Sequence, residues 1–156
     1  MTTDYGGTSL RFTNTSKEVL RNWARWVKGD YDVVERKWLV RMAAWMLREG
    51  LKAFDDQKQG GGAAWAPLNA KYAEWKLEHG KSGLANILTG AMRRSISQEM
   101  NRGRGLVRVG SPKEYSIFTE EGTKTGMPAR PFLPAKNYAE EHARSLFNEL
   151  CRRYMN

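Results

Sequence analysis

Two histidines, one cysteine and two adjacent carboxylate pairs are the residues of this chain most suited to chemistry, and their spacing argues against it. His79 and His142 have no cysteine or carboxylate partner at a metal-ligand spacing, so neither a metal nor a cofactor is expected. Asp55-Asp56 and Glu120-Glu121 are sequence neighbours, and neighbours on a helix point in different directions rather than forming an acid–base dyad. Gly60-Gly61-Gly62 lacks the Lys-Ser/Thr that follows a phosphate-binding loop, and reads as a mobile connection. Cys151 excludes an internal disulfide and reads as an inert thiol on a C-terminal helix. No acid, base or nucleophile arrangement points to an enzyme.

The more informative residues suit docking. Met127-Pro128-Ala129-Arg130-Pro131-Phe132-Leu133-Pro134 has three prolines in seven positions, which fix φ and remove backbone donors. The run reads as a stiff extended strut that aims Arg130 and Phe132 at a partner. Arg130 offers bidentate hydrogen bonds and Phe132 an apolar anchor, or else Phe132 and Leu133 pin the last helix to the core. Tyr115 to Thr123 precedes the strut and carries Tyr115, Phe118 and Gly122.

The second candidate surface is basic. The chain has a formal net charge of +9, and the excess is uneven. Residues 1–54 carry 10 basic and 6 acidic side chains, and residues 91–113 carry 6 and 1. The flanking stretches balance. Arg93, Arg94, Arg102, Arg104, Arg108 and Lys113 fall along one predicted hairpin, with Arg102 and Arg104 at its glycine-rich tip. Such a projection suits phosphates or an acidic protein surface, and charge does not choose between them. No helix-turn-helix, zinc-finger or RNP-type pattern favours nucleic acid.

These residues need elements to position them. At 156 residues the chain reads as one domain, able to bury roughly 70% of its unfolded surface. Residues 1–12 have no period and read as a loose tail. Thr15 and Glu18 make a capping box, and Val19, Leu20, Trp23, Trp26 and Val27 recur at helical spacing up to Gly29. A second helix is predicted from Tyr31 to Phe54, with Val34, Trp38, Leu39, Met42, Trp45 and Met46 as its apolar stripe. The two make up a helical region over 16–54.

Gln57 to Ala64 reads as a flexible loop, followed by a helix through Tyr72 and Trp75 that Gly80 releases. Asn86 to Ser97 reads as a helix turning into a strand. Ser95–Met100 alternates apolar and polar residues and pairs back on Leu106–Gly110. Tyr115–Glu121 is a short helix, and Asn137–Tyr154 an amphipathic one with Tyr138, His142, Leu146 and Leu150 near one face. No stretch reaches the ~20 apolar residues of a membrane span and no leader pattern opens the chain, so a reducing cytoplasm is the expected place of synthesis.

In their order, these motifs resemble the phage virion morphogenesis family, the small tail-completion and neck proteins of tailed bacteriophages and Mu-like prophages. The resemblance rests on Gly62, Trp65, Pro67 and Leu68, with Tyr72 and Lys76 after them. It continues through Ile87, Leu88, Thr89, Gly90, Met92, Arg93, Ser95 and Ile96, then Val109-Gly110-Ser111. Tyr115, Phe118 and Gly122 keep the next pattern, although Ser116 replaces its usual alanine and Thr119 its common histidine. The Pro-Ala-Arg-Pro-Phe-Leu run is intact.

The match covers about Phe54 to Leu133. It implies an α+β fold, with N-terminal helices and a C-terminal helix (134–156) packed on a small antiparallel sheet around a core over 55–133, and a protruding β-hairpin. It also implies a non-enzymatic virion protein, made in the host cytoplasm, that completes the tail or joins it to the head. The implied state is a ring, usually hexameric, touching tail tube or sheath and connector proteins, with DNA passing through its lumen and no membrane partner. On this reading Tyr115, Phe118, Gly122, Pro128, Arg130, Pro131 and Phe132 form the subunit or partner interface. Arg93, Arg94, Arg102, Arg104 and Arg108 then meet DNA or an acidic partner. The alternative is a basic DNA-binding accessory protein acting through the hairpin.

Overall fold

The long helix on which everything else packs follows directly from the apolar stripe. A computed structural model of the chain describes residues 9–13 and 31–154. Helix α1 spans Tyr31–Asp56, and Val34, Trp38, Leu39, Met42, Trp45, Met46 and Phe54 are all buried along it. Their three- and four-residue spacing gathers them on one side of a 3.6-residue repeat. Asp32 in the first turn complements the positive end of the helix dipole. The capping box and the Trp-rich helix predicted before Gly29 lie outside the described residues.

Helix α1 packs against the sheet and against the last helix. Strands β1 (Ser9–Thr13), β2 (Ser97–Asn101) and β3 (Leu106–Gly110) form an antiparallel sheet of order β1-β3-β2. The β2–β3 hairpin has Ser97 opposite Gly110 and Asn101 opposite Leu106, joined by a single 3-10 turn over Arg102–Arg104. Val107 and Val109 of β3 are buried in the core. Residues 9–13, predicted within a loose tail and its margin, instead pair with β3, Ser9 opposite Gly110. The β3 backbone needs donors and acceptors on both sides, and this segment supplies one side.

The remaining helices are α2 (Ala70–Glu78), α3 (Ala91–Ser95), α4 (Ser116–Glu121) and α5 (Lys136–Tyr154). The fold is α+β. Helix α5 lies on α1: Trp38 Nε1 donates to the Ala143 carbonyl at 2.9 Å, and His142 stacks on Trp45 with centroids 4.1 Å apart. The buried face of α5 is Ala139, Ala143, Leu146 and Leu150. Tyr138 and His142, predicted on that face, flank it instead, because the two alanines let the helices approach and leave the rings at the margin.

Two further predictions are corrected. The helix expected over 86–97 shrinks to the five residues of α3, because Gly90 before it is left-handed (φ 71°) and admits no continuous helix. The loop over 57–64 is a pinned turn rather than a mobile one. Lys58 N donates to Ala53 O, Gly62 N to Gln59 O, Trp65 N to Gln57 O, and Ala135 N closes on Gly60 O at 2.9 Å. The Tyr138 ring lies against Gly61, where any side chain would collide with it. Among the described residues no helix is long and apolar enough to cross a membrane.

Candidate partner interface

The proline-rich strut is built into a clasp by residues from four segments. Trp65 follows the pinned turn and packs edge-on against Phe54, with centroids 5.4 Å apart. Its Nε1 donates to the Pro131 carbonyl at 2.8 Å. Arg130 reaches back the other way: Nε donates to Ala66 O at 2.8 Å and Nη2 to Pro67 O at 2.9 Å. Its own backbone N–H bonds Thr119 O at 2.7 Å, and its carbonyl accepts from Asn86 Nδ2 at 3.3 Å. Prolines leave few backbone donors in this run, so its carbonyls are satisfied by side chains instead.

Helix α4 completes the clasp from beneath. Ser116 and Thr119 are buried, and one Glu120 carboxylate oxygen accepts the N–H groups of Phe132 (2.8 Å) and Leu133 (3.0 Å). Burial pushes the Glu120 carboxyl up to about 7, and the charge of Glu121 adds to this; the two backbone donors oppose it. Gln59 Nε2 caps the Leu133 carbonyl at 2.9 Å. The same economy holds α2 in place: Lys76, only 1% exposed, donates from Nζ to Leu84 O and Ile87 O, both at 2.7 Å. Burial lowers its pKa. Gln57 grips Ala85 from both ends, accepting its N–H at 2.6 Å and donating to its carbonyl at 3.3 Å.

This arrangement divides the predicted interface residues. Arg130 is 6% exposed and Phe132 fully buried, so neither faces outward. The expectation that the strut aims them at a partner is corrected, since the Ala66 and Pro67 carbonyls take the guanidinium and the Phe54 ring takes Phe132. Pro131 and Gly122 are half-buried. Tyr115, Phe118 and Pro128 remain at the surface, Phe118 51% exposed, with Ile117 and Met127 also exposed. Gly122 brings the end of α4 against residues 127–129, placing Phe118 and Met127 on neighbouring segments. The outcome is an apolar ledge on a rigid base.

The predicted basic set divides too. Arg93 pairs with Asp55 at 2.9 Å and Arg108 with Glu99 at 3.5 Å, both half-buried. Arg94, Arg102 and Arg104 are exposed. The Cys151 thiol is half-buried and its pKa is raised by burial, which disfavours a reactive thiolate. Among the described residues no three His, Cys, Asp or Glu side chains gather as a metal site would need.

An exposed apolar ledge on a clasp of ordered motifs is the setting in which comparison with known proteins becomes decisive. The profile of the phage virion morphogenesis family matches residues 17–152. The chain belongs to the phage virion morphogenesis family. It is also 31% identical over 102 residues to the Mu-like prophage FluMu G protein 1 of Haemophilus influenzae, covering 65% of this chain and 69% of that protein. No solved structure matches. Of the family's motif residues in this chain, Trp65, Lys76, Met92, Ile96, Val109, Ser111, Arg130 and Phe132 are buried, whereas Tyr115 and Phe118 reach solvent on the ledge.

Sequence reasoning weighed Glu120 only as half of a carboxylate pair, gave Gln57 and Gln59 no role, and named Lys76 only as a motif position. For Glu120 a signal existed: Ser116, Thr119 and Glu120 stand at i, i+3 and i+4, the inward face of a short helix. The glutamines gave none, since their partners are backbone carbonyls and amides distant in sequence.

Proposed function

We propose that this member of the virion morphogenesis family is a non-enzymatic structural protein that completes the phage tail or joins it to the head at the neck. It acts as a ring, hexameric in this reading, through which DNA passes, and it meets tail tube or sheath proteins and the head–tail connector. The protein is made in the host cytoplasm and ends in the tail or neck of the particle.

The observation that carries this reading is the apolar ledge of Tyr115, Ile117, Phe118 and Met127, exposed on a base locked by Glu120 and Arg130. Clustered exposed apolar residues mark interaction surfaces, and a rigid base reduces the entropy lost on docking. Single-particle reconstruction of virions, with mass measurement of the protein bound to purified tails or connectors, tests it. Density for several copies at the head–tail junction or tail end supports it. A strictly monomeric protein absent from particles sinks it.

The second reading, a DNA-binding accessory role, is favoured by the exposure of Arg102 and Arg104. It requires duplex DNA binding that weakens with salt and with an Arg102/Arg104 double substitution.

A further inference from the structure

Helix α2 carries a second exposed surface of different chemistry. At 100° per residue, Glu74 and Glu78 make one row of its outer face, and Trp75, His79 and Tyr72 the row beside it. Trp75 is 41% and Tyr72 44% exposed; their rings stack with centroids 5.8 Å apart and planes within 10°, and His79 continues the row at 4.4 Å from Trp75. Neither Glu74 nor Glu78 forms an ion pair among the described residues. Lys76 behind and the Asn69 cap in front hold the helix still. A flat aromatic row beside two uncommitted carboxylates suits a guanidinium, which stacks on the rings and hydrogen-bonds the oxygens.

The chain carries such guanidiniums at the hairpin tip. Arg102 and Arg104 are exposed and likewise without ion pairs among the described residues, whereas Arg93 and Arg108 are committed to Asp55 and Glu99. The tip has a defined shape, because Asn101 Oδ1 accepts the Arg104 N–H at 3.1 Å and Gly105 closes the turn.

The two surfaces stand at opposite ends of α1. Arg102 borders a groove with Asp32, Glu35 and Leu39, in the first turns of that helix. Helix α2 is tied to Leu84 through Lys76, and Ala85 to Gln57, the residue following Asp56. At 1.5 Å per residue, Leu39 and Gln57 are roughly 27 Å apart along the axis. The tip therefore meets α2 only on another copy.

We propose that Arg102 and Arg104 of one copy dock on the Glu74, Glu78, Trp75 and Tyr72 face of α2 of the next. The contact joins two different surfaces, and repeating it closes a ring or extends a filament. It rests on the ring reading above and supplies that ring with one specific joint.

The test is sedimentation velocity of the full purified chain at low and moderate salt, repeated on purified particles by cross-linking. R102E/R104E and E74R/E78R should each weaken self-association by about ten-fold or more, and the four changes in one chain should restore it. Arg104→Cys with Glu78→Cys should give a bismaleimide ladder of dimers and larger species. Wild-type association unmoved by R102E/R104E, with no ladder, overturns this joint and leaves the ring standing. Loss of duplex DNA binding in R102E/R104E with self-association intact assigns the tip to DNA and also overturns it. A wild-type chain that neither self-associates nor occurs in several copies per particle removes the ring reading and this joint together.

Discussion

Glu120 holds Phe132 by its backbone: a single carboxylate oxygen takes the Phe132 N–H at 2.8 Å and the Leu133 N–H beside it. The bond fastens the short helix under the apolar ledge to the segment that fills the core. Its charge state therefore matters to stability. Burial raises the Glu120 pKa from 4.5 to about 7, so between these values the folded chain binds more protons than the unfolded one. Stability from this group is full below pH 4.5 and declines as pH rises to 7, by on the order of 3 kcal/mol. Denaturant melts from pH 4.5 to 8 should show this decline, and Glu120→Gln should flatten it while keeping an acceptor oxygen. The comparison must be variant against wild type, because His142, its pKa lowered by burial against Trp45 and next by Arg48, titrates in the opposite sense.

Arg130 is expected to resist conservative replacement. Its two bonds to Ala66 and Pro67 need the guanidinium fork, which lysine lacks. Arg130→Lys should cost about 1–2 kcal/mol and Arg130→Ala about 3 kcal/mol, since the alanine leaves two carbonyls without donors. Urea unfolding checks both; an Arg130→Ala chain as stable as wild type contradicts the clasp.

Gly122 adopts φ 75° with ψ −171°, a backbone region essentially confined to glycine. A Cβ there would sit 2.7 Å from Met127 O and 2.9 Å from Ala129 N, both backbone atoms that cannot swing aside. Gly122→Ala should lower stability by about 2–4 kcal/mol, read as a drop in Tm, and should displace the ledge residues as well.

Phe118 and Phe132 should separate assembly from folding. Phe132→Ala empties a fully buried site and should cost about 3–5 kcal/mol. Phe118→Ser changes an exposed residue and should leave stability within about 0.5 kcal/mol while reducing incorporation into particles. Equal incorporation of Phe118→Ser and wild type would remove the ledge from the assembly account.

The long helix, the hairpin and its tip were legible in the sequence because each obeys a local period: Val34 to Met46 repeats every three or four residues, and Leu106 to Val109 alternates. The pairing of residues 9–13 with β3 was not, since five residues of mixed character acquire a strand only from a neighbour some hundred residues away. The inward turn of Arg130 was hidden for a related reason. A stiff proline segment announces its rigidity, but which way its arginine points depends on two carbonyls beside Trp65, and a carbonyl leaves no trace in residue type. The two exposed surfaces were half legible: Tyr115 and Phe118 were singled out, whereas Tyr72 and Trp75 served only to mark a short helix, with no surface assigned to them.

The bond from Trp38 to Ala143 spans 105 residues, and those from Arg130 to Ala66 and Pro67 span 64 and 63. Synthesis on a ribosome proceeds from one end, so the Arg130 bonds wait for the strut and the Trp38 bond for the last helix. Until then Trp38 and Trp45 of α1 lack the partners that α5 supplies, an apolar face of the kind that chaperones shield. A chain interrupted before Arg130 never seats its arginine or its phenylalanine, and its ledge has no firm base. On the proposed function, timing then acts as inspection: only a chain that carries both the strut and the last helix presents the ledge on a firm base.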